Sequence, residues 1–151
     1  MTVLKLMHLL AALIWVGGMF FAYVVLRPAA VEALEPPKRL GLWDAVFRRF
    51  FAWVWGAIGV LLFSGFYMIF LYGGFSVVPR RVHVMLFLGM AMMVIYLYVF
   101  FSRYRPFSAL VAAQNWKAAG ELLGKIRKLI AVNLTLGILT VGVAVIGVLW
   151  P

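Results

Sequence analysis

The sequence contains no cysteine, only two histidines and only four acidic residues in 151 positions. Without cysteine there is no disulfide scaffold, no thiolate metal site, no Fe–S cluster and no cysteine nucleophile. Charged residues make up 12% of the chain, whereas a soluble domain carries about 25%. The chain therefore has too little charge to cover a surface in water, which excludes an ordinary soluble enzyme and a disordered protein.

Long apolar runs make up much of the sequence, since 67% of the residues are hydrophobic and the mean hydropathy is +1.09. A membrane-spanning helix needs about 20 apolar residues, and lipid forces each such run to satisfy its backbone hydrogen bonds as a helix. The first run is too long for the apolar core of a signal peptide and has no clean cleavage site after it. We predict an all-α fold, an integral membrane four-helix bundle that forms a single membrane domain over residues 1–151. The predicted spans are residues 6–26, 50–72, 82–102 and 129–150.

The net charge of +10 comes from 14 Lys and Arg residues against 4 Asp and Glu. Beside four spans, this excess indicates contact with anionic lipid headgroups rather than with nucleic acid. Most basic residues lie in the two loops after the first and third spans, and the opposite side carries only Lys5, Arg80 and Arg81. The distribution predicts a multi-pass protein of a bacterial-type cytoplasmic (inner) membrane with both termini outside. Residues 107–125 are predicted to form a short cytoplasmic interfacial helix.

The two histidines, His8 and His83, both fall inside predicted spans. They lie at similar depth, one to two turns from the outer ends of two helices that run in the same direction. An ionisable residue within a span suggests a functional site, and imidazole is a common ligand for metals and for haem iron. His8 shares one helix face with small residues and a tryptophan, which predicts close approach of another helix or of a flat cofactor. The alternative is a packing seam that holds one hydrogen-bonded histidine. The members of this face are His8, Ala11, Trp15, Gly18 and Ala22.

The third span presents two stripes that lie about 200° apart around the helix. One contains His83 and the other contains Met85, Gly89, Met92 and Tyr96. The glycine and the tyrosine favour the Met85 stripe as the packed face. An unpaired imidazole in hydrocarbon costs a few kcal/mol, on the order of the penalty for any buried polar group, which favours an inward His83. His83 is therefore the first candidate partner of His8, and Met85 is the second.

The basic residues at the outer helix ends favour a haem, because Lys5, Arg80 and Arg81 are placed to pair with two propionates. They also suit a role as interface anchors alone. Eight methionines favour copper instead, since thioethers are soft ligands for Cu(I), although methionine is also a common core residue. On the fourth span, a small and polar face that includes Asn133 and Thr140 predicts helix packing with a hydrogen bond across the bundle.

Short segments of the chain resemble the CopD (copper-resistance D) family of small four-span membrane proteins and the related HemJ proteins, membrane protoporphyrinogen oxidases of many bacteria. The segments are Lys5-Leu6-Met7-His8, Trp15-Val16-Gly17-Gly18, Arg27-Pro28, Val82-His83-Val84-Met85-Leu86, Ile126-Arg127-Lys128 and Asn133-Leu134-Thr135-Leu136-Gly137. The resemblance implies a four-helix membrane bundle, with haem b in HemJ-type members and copper handling in the namesake. HemJ-type proteins use a lysine in the third span where this chain has Met85, which argues against protoporphyrinogen oxidase activity.

The function expected from the sequence is that of a membrane b-type haem protein that transfers electrons at the outer half of the membrane. Two strong axial ligands leave no open iron position, so electron transfer is favoured over oxygen activation. If the chain is an enzyme, this assignment implies a haem-dependent oxidoreductase. The expected partners of the chain are quinone or a periplasmic redox protein, and a second copy of the chain in a homodimer. The expected haem site comprises His8, His83, Trp15, Gly18, Arg80 and Arg81. The alternatives are a copper-handling membrane protein with His8, His83 and Met85 as ligands, or a HemJ-like protoporphyrinogen oxidase.

Overall fold

Four long helices dominate the computed structural model, which describes residues 1–147. All four are long and apolar enough to cross a membrane, and they are α1 (Thr2–Ala33), α2 (Pro36–Leu71), α3 (Arg80–Ala112) and α4 (Trp116–Ile146). Within the described part there is no strand. The predicted all-α membrane bundle is thereby confirmed. The end of the predicted fourth span, residues 148–150, lies outside the described residues.

Short connections join the helices at alternate ends. Leu34 and Glu35 link α1 to α2, and the extended backbone of Glu35 precedes Pro36, whose fixed φ suits the first turn of a helix. A three-residue turn around Gln114, with φ of 57°, links α3 to α4. We call the end with these two links the basic end, because most of the Lys and Arg residues surround it. The other end, which carries the N-terminus and the turn at residues 72–79, is the terminal end.

The turn at the terminal end depends on two glycines. Gly73 and Gly74 have φ of 98° and 94°, a left-handed conformation that L side chains rarely adopt. The Gly74 amide donates to the Ile69 carbonyl over 2.9 Å, which satisfies one of the last carbonyls of α2. The chain can therefore reverse within a few residues before Pro79 starts α3.

The predicted interfacial helix at residues 107–125 is not a separate element. Its first part continues α3 as far as Ala112, and its second part is the beginning of α4 at Trp116. Phe107, Ala119 and Leu123 from this segment are buried in the helical core. The apolar face of the segment thus packs against other helices of the bundle, which is why it does not lie flat at a membrane surface.

The bundle consists of two antiparallel pairs, in which α1 packs on α2 and α3 packs on α4. Near the terminal end, the first turns of α1 pack chiefly on α2. Contacts between the two pairs come from α1 beyond Leu13 and, to a similar extent, from α2, which also touches the last turns of α3 at the basic end. Along this junction α1 winds as a wider π-helix over Leu13–Gly17 and Phe21–Leu26, and α3 does so over Val99–Tyr104.

Candidate functional site

The small-residue face of α1 packs against α2, as the spacing predicts. Ala11, Trp15 and Ala22 are buried. Gly18 lies directly against the ring of Phe50, where any Cβ would collide with that ring. Trp15 and Gly18, two of the predicted cofactor contacts, therefore have helix side chains as neighbours in this structure.

His8 lies half-buried at the terminal end of this face. Its Nδ1 is 2.8 Å from the Ser64 Oγ of α2, and Ser64 is fully buried. The neighbouring Gly65 makes room for the imidazole, because a Cβ there would lie 3.4 Å from His8 Cε1. A polar pair is thus enclosed between two apolar helices.

The hydrogen bonds of Ser64 assign the proton on the His8 ring. The Ser64 hydroxyl donates to the Val60 carbonyl over 2.5 Å, and a hydroxyl has only one hydrogen to donate. With that hydrogen directed at Val60, the tautomer consistent with the 2.8 Å contact has His8 Nδ1–H donating to Ser64 Oγ. In the neutral ring this leaves Nε2 with a free lone pair, the form in which histidine binds metals.

Ser64 and Gly65 are neighbours of His8 that the sequence patterns did not reveal. The signal available was a Ser-Gly pair that interrupts the long apolar run of the second span. That signal states neither which helix the serine faces nor that His8 is its partner. Only the packing of α1 on α2 brings the two residues together.

His83 lies on the outer face of α3 and is exposed. Its Nδ1 is 3.4 Å from the Pro79 carbonyl of its own helix, and its ring centre is 6.2 Å from that of Phe75. Among the described residues, no hydrogen bond joins it to His8. The stripe of Met85 is the packed one, as the glycine and tyrosine predicted: Met92 and Tyr96 are buried and Met85 is half-buried.

The basic residues at the terminal end differ in their surroundings. Lys5 and Arg80 are exposed. Arg81 is half-buried, and its guanidinium donates to the Gly147 carbonyl over 2.7 Å. Arg81 therefore caps the carbonyl end of α4 and ties it to the start of α3.

Polar residues of α4 face the junction between the two pairs. The Thr140 hydroxyl donates to the Leu136 carbonyl of its own helix over 2.8 Å and lies 4.0 Å from Met92 Sδ of α3. Asn133 is only 4% exposed, yet its Oδ1 has no hydrogen-bond partner among residues 1–147. Asn133 and Trp15 both line a small cavity of about 20 Å³.

The donors in the described part of the chain suit a soft metal ion better than a hard one. No group of three His, Asp or Glu side chains is gathered there, and the chain has no cysteine. The candidate donors are imidazole and thioethers, which favour Cu(I). The residues do not fit a haem b between His8 and His83, because His8 is engaged by α2 while His83 lies on the exposed face of α3.

Similar proteins are described as copper proteins, which agrees with the soft donors of this chain. A stretch of 59 residues is 44% identical to the copper transport protein CutJ of Bacillus subtilis (strain 168), and it covers 39% of this chain and 10% of that protein. The match thus spans only a small part of the length of that relative. No solved structure matches the chain. The model of the family described as copper resistance protein D matches residues 44–147, which include α3, α4 and most of α2. The chain therefore belongs to the CopD family and is a copper-related multi-pass membrane protein.

Proposed function

We propose that this chain handles copper as cargo in the membrane, and that His8 Nε2 is a ligand on the path of the ion. The observation that carries the proposal is the His8–Ser64 pair, because it leaves Nε2 unprotonated and fixes the ring. Ligating histidines commonly donate their other N–H to a fixed acceptor, which orients the ring and raises its basicity. Ser64 is thus a positioning residue for His8.

The family match supports copper rather than another soft metal, although it does not extend to α1. Ser64 lies inside the matched segment, and His8 reaches it from outside. Additional thioether donors are available near the same end. Met68 is half-buried four residues after Ser64, on the same face of α2, and Met85 is half-buried on α3. We propose these two methionines as the soft partners of His8.

The test compares the two histidines in purified protein. His8→Ala should weaken Cu(I) binding by at least about tenfold, measured by competition with a chromophoric chelator, since it removes a ligand altogether. The matched control is His83→Ala, whose imidazole is exposed and bonded only to its own helix; its affinity should stay within about twofold of wild type. Wild-type affinity in His8→Ala, or equal losses in both variants, would refute the proposal.

Haem b remains the prediction of the sequence pattern alone, together with its electron-transfer role and its quinone or periplasmic redox partners. The same purified sample tests it, because a haem protein shows a Soret band. A Soret band that His8→Ala abolishes would replace copper with haem as the ligand of His8. A colourless preparation that binds Cu(I) stoichiometrically would support the copper assignment.

We further propose that the four helices act as one membrane domain in a cytoplasmic membrane of bacterial type, with both termini outside. The basic residues around the links at Leu34 and Gln114 support this orientation, because such residues favour the cytoplasmic side. A topology reporter fused after Gly74 should report an external position, and one fused after Pro36 a cytoplasmic one. The reverse pattern would contradict the proposed orientation and place His8 near the cytoplasmic side of the membrane.

A further inference from the structure

Three arginines from three different helices come together at the basic end of the bundle. They are Arg27 of α1, Arg39 of α2 and Arg127 of α4, and each is half-buried. We call them the arginine cluster. Most other basic residues at this end, such as Arg49 and Lys128, are exposed. The cluster therefore differs from ordinary interface anchors, whose charged heads extend into water from the protein surface.

The charges of the cluster act on one another. The Arg127 guanidinium is close enough to Arg27 and Arg39 to be repelled by both of them. The Tyr23 hydroxyl also acts on it, but no carboxylate of residues 1–147 does. Like charges held together without a counter-charge raise the free energy of the folded chain, and partial burial weakens the screening by water. The cluster therefore favours an anion that comes from outside the chain.

Two of the arginines lie at a small cleft between α1, α2 and α4. Arg27 and Arg127 line this cleft with Tyr23, and the Arg27 guanidinium lies over the Tyr23 ring, 5.1 Å from its centroid. The remaining lining is apolar and comes from the same three helices: Ala22, Trp43, Phe47 and Ile130. The cleft has a volume of about 10 Å³, which is room for one water molecule. A larger anion must therefore lie at its mouth, among the guanidinium groups.

The position of the cluster along the helices indicates which anion it meets. Arg27 directly follows the first predicted span, and Arg127 lies two residues before the fourth, so both lie at the level of the lipid headgroups. Next to Arg27, Val24 and Val25 are 48% and 47% exposed, as expected for side chains covered by lipid chains. Guanidinium groups bind phosphate oxygens through paired N–H donors. A molecule with both a phosphate and acyl chains matches these surfaces better than a free phosphate ion does.

We propose that the arginine cluster binds the phosphate of an anionic phospholipid of the phosphatidylglycerol type. The phosphate accepts hydrogen bonds from the guanidinium groups and supplies the counter-charge for three helices. The glycerol and the first acyl carbons lie against the apolar lining of the cleft. Basic pockets between membrane helices are suited to such headgroups. The site lies at the opposite end of the bundle from His8, and the inference does not depend on copper.

The test measures lipid binding to the purified protein by native mass spectrometry, with phosphatidylglycerol compared with zwitterionic phosphatidylcholine. The wild type should prefer phosphatidylglycerol, and Arg127→Gln should weaken its binding at least about fivefold, because one charged donor group is lost. Lys128→Gln is the matched control, since it removes the same charge at the neighbouring exposed position. Its affinity should stay within about twofold of wild type, because an exposed charge is screened. Equal losses in the two variants would show diffuse attraction and refute the site.

Inorganic phosphate distinguishes the two sources of the anion. At millimolar concentration, compared with sodium chloride of the same ionic strength, it should leave phosphatidylglycerol bound. Displacement by phosphate alone would assign the cluster to a free anion and overturn the lipid assignment.

Thermal unfolding in detergent gives a second measurement. Phosphatidylglycerol should raise the melting temperature of the wild type and of Lys128→Gln, but not that of Arg127→Gln. Without lipid, Arg127→Gln should melt no lower than the wild type, because repulsion within the cluster is relieved. A lower melting temperature of Arg127→Gln without lipid would show that the fold itself already compensates these charges, which would contradict the proposal.

Discussion

The two ends of the bundle are built on different principles. At the basic end, Phe47 is 1% exposed and packs against the rings of four neighbours at centroid distances of 5.2 to 6.1 Å. Those neighbours are Trp43, Phe51, Tyr104 and Phe107. At the terminal end, small and polar contacts also join the helices: His8 with Ser64, and Arg81 with Gly147. The basic end is a dense aromatic core. At the terminal end, polar groups lie between helix pairs that have few contacts with each other.

The comparison indicates that the two ends of the bundle contribute differently to stability and to the candidate site. Large rigid rings contribute the greatest contact area, so most of the packing energy is concentrated at the basic end. The terminal end carries the buried polar pair of His8 and Ser64. Under the proposed function, an ion that enters from this end would meet His8 before the tightly packed contact at Gly137.

Phe47→Ala should cause the largest loss of stability. A buried phenylalanine truncated to alanine costs about 3–5 kcal/mol in soluble proteins, and we expect about 3 kcal/mol here because lipid or detergent also solvates apolar groups. Unfolding by a denaturing detergent, followed by circular dichroism, measures the effect. Phe63→Ala on the same helix is the control, since Phe63 is 62% exposed and should cost well under 1 kcal/mol by the same argument. Equal losses in the two variants would remove the distinction between core and lipid-facing aromatics.

Much of the fold follows from the sequence by simple rules. The four apolar runs gave the four helices, and the small-residue spacing gave the face of α1 that packs on α2. On α3, the glycine and the tyrosine favoured the Met85 stripe, where Met92 and Tyr96 are indeed buried. The argument that was given more weight, the cost of an unpaired imidazole in lipid, predicted an inward His83, and His83 is exposed. These features depend on helical periodicity and on the cost of exposing backbone to lipid, both of which are local properties.

The remaining features depend on which helices meet, and a single sequence does not encode that locally. The partner of His8 is 56 positions away on α2, so no spacing rule links it to Ser64. The segment at residues 107–125 has an amphipathic pattern that fits a membrane interface as well as a groove between helices. The position of this segment depends on tertiary packing, in which the Phe107 ring lies against the ring of Phe47. The orphaned Asn133 oxygen likewise becomes visible only when its neighbours are placed.

Ser64→Ala should separate binding from stability at the terminal end. Loss of the acceptor of His8 Nδ1–H frees the ring and its tautomer, which should weaken Cu(I) binding about 10- to 100-fold, as is usual for groups that orient a metal ligand. The helix itself should tolerate the change, because alanine has a higher helix propensity than serine. Ser64→Thr restores a hydroxyl and should recover part of the affinity. Normal affinity in Ser64→Ala would mean that Ser64 serves only to satisfy a buried histidine.

Arg81→Gln should produce the smallest effect, and one confined to the terminal end. The guanidinium bonds the Gly147 carbonyl just after α4, and favourable charges at helix ends contribute about 0.3–1 kcal/mol. Exchange of backbone amide hydrogens between residues 140 and 147 should therefore accelerate up to about fivefold, since 1.4 kcal/mol corresponds to tenfold. The control is Arg80→Gln, because the neighbouring Arg80 is exposed and the same amides should exchange at the wild-type rate. Around Phe47 neither variant should change exchange, because that core is built from different contacts. Faster exchange at both ends in Arg81→Gln would show that the bundle opens as one unit, and the division between a packed end and a polar end would then have no dynamic counterpart.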